Sequence, residues 1–232
     1  MNKLRTISRQ GTLTTGYRLK RKRYWKFSGM NEKLAYLIGV FFGDGCITRY
    51  ESRGFEWFKF VLRSIDRDFV EYTAECIKSL IGFKPKILTV NQKKNRILYY
   101  LTIGNNDLFG WMKELTKKKT VIPEMIKSIP EYSREFLSGF MDSEGWCAED
   151  RSKIPYRYRV GFCGSADWID EIIRMLDKSG VKIGKRQTRR SEWSKKDNVL
   201  FMINTRSFIE SGIGFKIQRK QNRLETYKKL YM

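Results

Sequence analysis

LIGVFFGDG at residues 37–45 and LSGFMDSEG at 137–145 share one pattern, 100 residues apart: an apolar run, a small residue, an acid and a glycine. Leu34 to Phe42 is apolar on every side, which marks a helix buried all round. Asn31 suits its N-cap and Glu32 its first turn. Gly39 and Gly43 lie four residues apart, on one helix face, and Gly139 and Ser143 hold the same two places in the second copy. Small residues at that spacing let two helix backbones approach closely. Gly45 and Gly145 read as helix-end punctuation. Punctuation does not account for the small residues ahead of them, so the two segments are expected to pack on each other as helices.

The repeat extends outward from these segments. SIDRDFVEYTAECIKSLIGFKPKI at 64–87 parallels SADWIDEIIRMLDKSGVKIGK at 165–185. Each reads as a Ser N-cap, an amphipathic helix, a Gly stop and a basic strand. FEWFKFVLR at 55–63 and YRYRVGFCG at 156–164 alternate with cations on one face, as half-buried strands do. YYLTIGNNDLF at 99–109 and LFMINTRSFI at 200–209 each read as a strand running into a helix. The expected fold is α+β, two pseudo-symmetric copies of helix, two strands, helix, two strands, helix. We divide the chain into a basic arm at 1–30, a first repeat at 31–130 and a second at 131–232. A linker with a charge run and two prolines, KKKTVIPEMIKSIPEY, starts at about 117.

Of 232 residues, 47 are Lys or Arg and 25 are Asp or Glu, a formal charge of +22, and none is His. The absence of histidine excludes Ser-His-Asp and Cys-His machinery and His-based zinc sites. So basic a chain repels itself unless it meets a polyanion, which points to nucleic acid. Residues 1–30 hold nine cations and no acid. That segment reads as a basic arm, and an organelle targeting peptide would look the same. Cys46, Cys76, Cys147 and Cys163 show no CxxC spacing and read as reduced thiols of an intracellular protein. No apolar run reaches membrane-spanning length and no secretory signal is visible. The expected location is a prokaryotic cytoplasm or an organelle matrix.

Asp44 and Glu144 each precede the terminal glycine, at a helix end where the dipole disfavours a carboxylate. If the helices pair, the two acids face each other, and one pKa must rise. A sequence that does this twice needs a compensating cation. With oxygen ligands and no His that ion is Mg²⁺. Two acids holding divalent ions beside a polyanion suggest phosphodiester hydrolysis. Asp142 has Phe42 as its counterpart in the other copy, so it lacks the repeat's support and takes a secondary place.

These residues resemble the LAGLIDADG homing endonuclease family in its single-chain form with two motif copies. The resemblance spans roughly residues 31–232. It implies a fold of αββαββα twice over, with the motif helices at the centre and the strands forming a saddle in the DNA major groove. It implies that Asp44 and Glu144 bind catalytic Mg²⁺, helped by the carbonyls of Gly43 and Ser143. It also implies double-strand breaks with short 3′ overhangs in a long, asymmetric target. Because the chain shows no room for a splicing domain, an intron is the expected host. One chain with both motifs is expected to act as a monomer. The family places Lys or Gln near the metals from strand ends. Arg63 sits at that place in the first half, its counterpart falls near Gly164, and Lys153 is the alternative there.

The cations expected to meet DNA phosphates or base edges are, in the first half, Arg49, Arg53, Lys59, Lys84, Lys86, Lys93, Lys94 and Arg96. In the second half they are Arg151, Lys153, Arg157, Arg159, Lys182, Lys185, Arg186, Arg189 and Arg190. The alternative function is a non-cutting DNA regulator, or an RNA maturase with intron RNA as partner, on the same scaffold. A third reading, a basic ribosome-associated protein, needs no paired acids.

Overall fold

The computed structural model describes residues 25–52, 54–92, 96–150, 157–165, 168–189 and 198–232. The first half runs α1 (Glu32–Phe42), β1 (Cys46–Ser52), β2 (Phe55–Ser64), α2 (Arg67–Ile81), β3 (Ile87–Gln92), β4 (Arg96–Gly104) and α3 (Asn106–Leu115). A single turn, α4 (Glu124–Lys127), precedes the second half. That half runs α5 (Pro130–Glu144), β5 (Gly145–Asp150), β6 (Arg157–Ser165), α6 (Ile169–Lys178), β7 (Ile183–Arg189), β8 (Asn198–Ile203) and α7 (Thr205–Glu210). A further helix, α8 (Gln218–Tyr231), lies beyond the repeat pattern and is not anticipated by it.

Both sheets are antiparallel and share one strand order, β1-β2-β4-β3 and β5-β6-β8-β7. The α+β expectation holds. Cross-strand partners share a face, and one face of each sheet packs on helices. In the first sheet Phe60 stacks on Phe109 of α3, and in the second Phe162 meets Phe140 of α5 edge-on. Between the sheets α1 is buried from Leu34 to Phe42. Phe42 meets Phe136 of α5 and Trp168 edge-on.

Local signals explain most element ends. Asn31 Oδ1 accepts from Leu34 N at 3.0 Å, and Asn105 Oδ1 from Leu108 N at 2.8 Å. Gly82 takes φ +69° after α2, a conformation that suits glycine. The serine caps differ from expectation. Helix α2 starts after Asp66, and Ser64 Oγ accepts from Asp66 N instead; α6 starts after Trp168. Gly45 and Gly145 are also not left-handed stops. Gly145 (φ −84°, ψ 157°) already opens β5. A Cβ there would press on Met141 O, and one at Gly45 would lie 2.9 Å from Val40 O. Room, not handedness, makes these two positions glycine.

The same argument is stronger at the helix pair. A Cβ on Gly39 would collide with Phe136 O and come 2.9 Å from Phe140 N. A Cβ on Gly139 would collide with Tyr36 O, and one on Gly43 with Ser143 Cβ. Here α1 and α5 touch backbone to backbone. We expect Gly39→Ala and Gly139→Ala each to cost about 2–3 kcal/mol. Gly104→Ala, with nothing nearer than 3.7 Å, should stay within about 1 kcal/mol. Thermal and urea unfolding of the three variants checks the ranking, and equal losses would contradict the close pairing.

Candidate functional site

The helix pair sets the two acids at one place. Asp44 lies just past the α1 cap Gly43, and Glu144 is the last residue of α5. The Glu144 side chain crosses the end of α1, its Cγ 3.2 Å from where a Cβ on Gly43 would stand. Burial raises the Glu144 carboxyl to about 7, the charge of Asp44 adds to the rise, and Lys119 and Lys220 oppose it. Burial also raises Asp44, against Lys220 and Lys119. Asp44 is exposed to solvent, whereas Glu144 is half-buried.

The cations at these acids come from two residues that the sequence reading passed over. Lys119 donates from Nζ to Gly43 O at 2.9 Å, at the end of α1. Lys220, on α8 and 4% exposed, donates to Asp142 O and Gly145 O at 2.6 Å each and to Met141 O at 3.3 Å, at the end of α5. Each ammonium thus meets carbonyls at the negative end of its own half's motif helix, where a cation is favoured. Burial lowers the pKa of both lysines while the acids raise it. A signal for them exists, since they stand 101 residues apart, close to the repeat offset. It is hidden because Lys119 lies in a charge run resembling a linker and Lys220 in a helix outside the repeat. The backbone marks Lys119 as well: Lys117, Lys118 and Lys119 have φ of 43°, 58° and 72°. Such left-handed lysines cost about 1 kcal/mol each and persist where surroundings over-determine them.

Asp142 has a different role from Glu144. It is 1% exposed and accepts from Tyr36 Oη at 2.8 Å, from Lys216 N at 3.0 Å and from Ile217 N at 3.2 Å. Burial lifts it to about 6, and these donors hold it down. It joins α1, α5 and the entry to α8. Arg219 completes this clasp with a two-pronged contact to Asp66 of the first half.

The other expected residues fall in several places. Arg63 lies over the Tyr100 ring at 4.9 Å, on the face of the first sheet away from the helices. Lys59 and Arg96 belong to that same open face by register. Arg49 does not. It stands opposite Phe58, which packs against α3, and it pairs with Glu56. The strand's two-residue period puts it one step out of phase with Thr48 and Tyr50. Lys84 pairs with Glu75, Lys86 is exposed, and Lys182 is exposed with its N–H on Ser207 Oγ at 2.9 Å. Arg159 pairs with Asp150 across the β5–β6 ladder. Only the backbone of Arg157, Lys185, Arg186 and Arg189 is described, along β6 and β7. Arg53, Lys93, Lys94, Arg151, Lys153 and Arg190 lie outside the described residues, as does the arm before Trp25. The arm's end is fixed, with Trp25 against Trp111 at 5.2 Å and Phe27 stacked on it at 4.8 Å.

Asp44 and Glu144 offer all-oxygen donors of like charge, which suits a hard divalent ion. Among the described residues no group of three or more acids, cysteines or histidines could hold a metal. Water, carbonyls or a bound anion would therefore have to complete any coordination shell.

The model for the LAGLIDADG-like domain matches residues 31–116. The whole described chain has the LAGLIDADG fold. It superposes on mesophilic variants of the homing endonuclease I-DmoI with a TM-score of 0.54, 18% identity, and coverage of 81% of this chain and 96% of that one. The N-terminal LAGLIDADG domain of DUF199/WhiA gives a TM-score of 0.54 at 14% identity, covering 85% and 88%. In sequence, an uncharacterized protein of Methanocaldococcus jannaschii is 26% identical over 203 residues, 83% of this chain and 70% of that protein. The probable translation initiation factor IF-2 of the same organism is 26% identical over 193 residues, 82% of this chain but 15% of that protein.

The raised Glu144 makes a pH prediction. Its carboxyl binds a proton more tightly folded than unfolded, so its favourable contribution is complete below about 4.5 and is lost as pH rises through about 7. In EDTA, the wild type should lose Tm between pH 5 and 8 relative to Glu144→Gln, and the variant should be the more stable at pH 8. Parallel Tm curves for the two proteins would show that Glu144 is not under this pressure.

Proposed function

We propose that the chain is a site-specific, divalent-metal-dependent endonuclease of double-stranded DNA, acting as a monomer and encoded within an intron. The observation that carries this reading is the convergence of Asp44 and Glu144 at the paired helix ends, with the Glu144 carboxyl lifted to about 7. A protein gains nothing in stability from setting two mutually repelling acids together, one of them half-buried. Their cost is understandable at a reacting centre. The fold agrees, since I-DmoI has also been crystallised with DNA and Mn; that structure matches with a TM-score of 0.53 at 18% identity.

In this reading Asp44 and Glu144 hold Mg²⁺, with Gly43 and Ser143 carbonyls nearby. The bound ion would polarise the phosphodiester and lower the pKa of an attacking water. The chain's own groups do the rest. The two sheets seat the duplex across the helix ends. Lys119 and Lys220 fix the positions of those ends and offset part of the acids' charge. Their ammonium groups also set positive charge where a phosphate would enter, which favours the negative charge that grows during hydrolysis.

One observation favours a second reading. Lys119 and Lys220 already set two positive charges against the two acids. A charge-balanced centre could persist in a non-cutting binder of DNA or of intron RNA.

The test is cleavage of a randomised duplex library in Mg²⁺ or Ca²⁺, with the ends sequenced. Discrete cuts with short 3′ overhangs in Mg²⁺ are expected. Asp44→Asn and Glu144→Gln should each lower cleavage by at least about 10²-fold and leave affinity within a few-fold. Lys119→Met should reduce the rate with a smaller effect on binding. Wild-type cutting by either acid variant would remove the assignment, and binding without cutting in every metal would establish the second reading.

A further inference from the structure

The open face of the first sheet is unusually apolar. Its cross-strand partners include Tyr50 opposite Trp57 and Val90 opposite Leu98. Tyr50 is 47% exposed, Trp57 43%, Phe55 68%, Leu88 41% and Val90 50%. Among the described strand residues the cations on this face by register are Lys59, Arg63 and Arg96, and Arg63 is engaged over Tyr100. On the second sheet the ladder register puts Asp150 and Arg157 at the places of Tyr50 and Trp57, and Gln187 and Arg189 at those of Leu88 and Val90.

An exposed apolar sheet face in so basic a protein marks a surface meant to be covered. Charge settles what covers it. A chain of +22 with cations along the same face repels a second copy of itself and attracts a polyanion. A DNA major groove presents few apolar features to a strand, and the principal one is the thymine C5-methyl group. Guanine is read by bidentate Arg or Lys, and among the described residues of this face only Lys59 and Arg96 are candidates besides the engaged Arg63. Stacking on unpaired bases would also use aromatic rings, but Leu88 and Val90 cannot stack, whereas both can contact a methyl.

We propose that the open face of the first sheet reads thymine methyl groups, so that the half-site beneath it is thymine-rich and the half-site under the second sheet is not. This rests on the DNA-binding part of the proposed function and not on cleavage. It assigns specificity to Trp57, Leu88 and Val90, none of which is a cation.

The test begins with a binding selection from randomised duplex DNA in Ca²⁺, so that cleavage is not required. The selected duplex is then made with deoxyuridine in place of thymine in one half at a time, which removes only the methyl, and affinity is read by fluorescence anisotropy. We expect thymine enrichment in one half and about fourfold weaker binding per contacted methyl lost there. Val90→Asn and Trp57→Ser should flatten both effects while Tm stays unchanged, because both side chains are exposed. A selected site without thymine enrichment, or one that binds equally well with deoxyuridine, overturns this inference and leaves DNA binding standing. Failure to select any duplex overturns DNA binding as well. If sedimentation instead shows that the two variants dissociate a dimer of the wild type, the face is covered by a second copy and the inference is wrong.

Discussion

The structure depends on one contact, the backbone-to-backbone approach of α1 and α5 at Gly39 and Gly139. Without side chains between them the helices come close enough for carbonyls of one to meet the α-carbons of the other. That distance fixes the separation of the sheets packed on either side. It also brings both helix C-termini to one place, so the unpaired carbonyls, two dipole ends and two acids must share a small volume. Dispersion and burial hold the pair together, while electrostatics opposes it at this one end.

Lys119 and Lys220 relieve that opposition. Each caps the helix of its own half, so the pseudo-symmetry extends to a unit of helix end, acid and buried ammonium. The means differ. Lys119 arrives on a left-handed turn directly after α3, and Lys220 arrives on a helix held by Arg219 on Asp66 and by the loop N–H groups on Asp142. In the second half the lysine is therefore tied to the first half's α2. Loosening that clasp would move a charge at the centre, which makes α8 part of the site as well as of the fold.

What could be read from the sequence follows the same division. The helix pair, the acids and the succession of helices and strands were legible because they repeat at an offset near 100 and because each is local: a small residue, an acid, a two-residue alternation. Lys119, Lys220, Tyr36 and α8 were not, because their meaning lies in contacts between residues about 75 or more apart, such as Lys119 with Gly43 and Tyr36 with Asp142. Arg49 failed for a smaller reason. It sits in a strand beside Tyr50, but its face depends on register, and a shift of one residue reverses it. Gly45 and Gly145 show a related ambiguity, since a glycine after a helix can mark a left-handed turn or a lack of room, and composition does not separate the two.

The constraint at the centre leaves freedom elsewhere. A substitution at Gly39 or Gly139 must displace a backbone, and one at Lys220 strands three carbonyls. The open faces of the sheets carry no such obligation. Their side chains meet solvent on one side and the pleat on the other, so residue types there can change at little cost to folding. Two copies in a single chain need not change together, as the halves of a symmetric dimer must. The difference between the apolar open face of the first sheet and the more polar second one is what this freedom permits. The helix pair holds the two acids at one place, and the two open faces are free to diverge from each other.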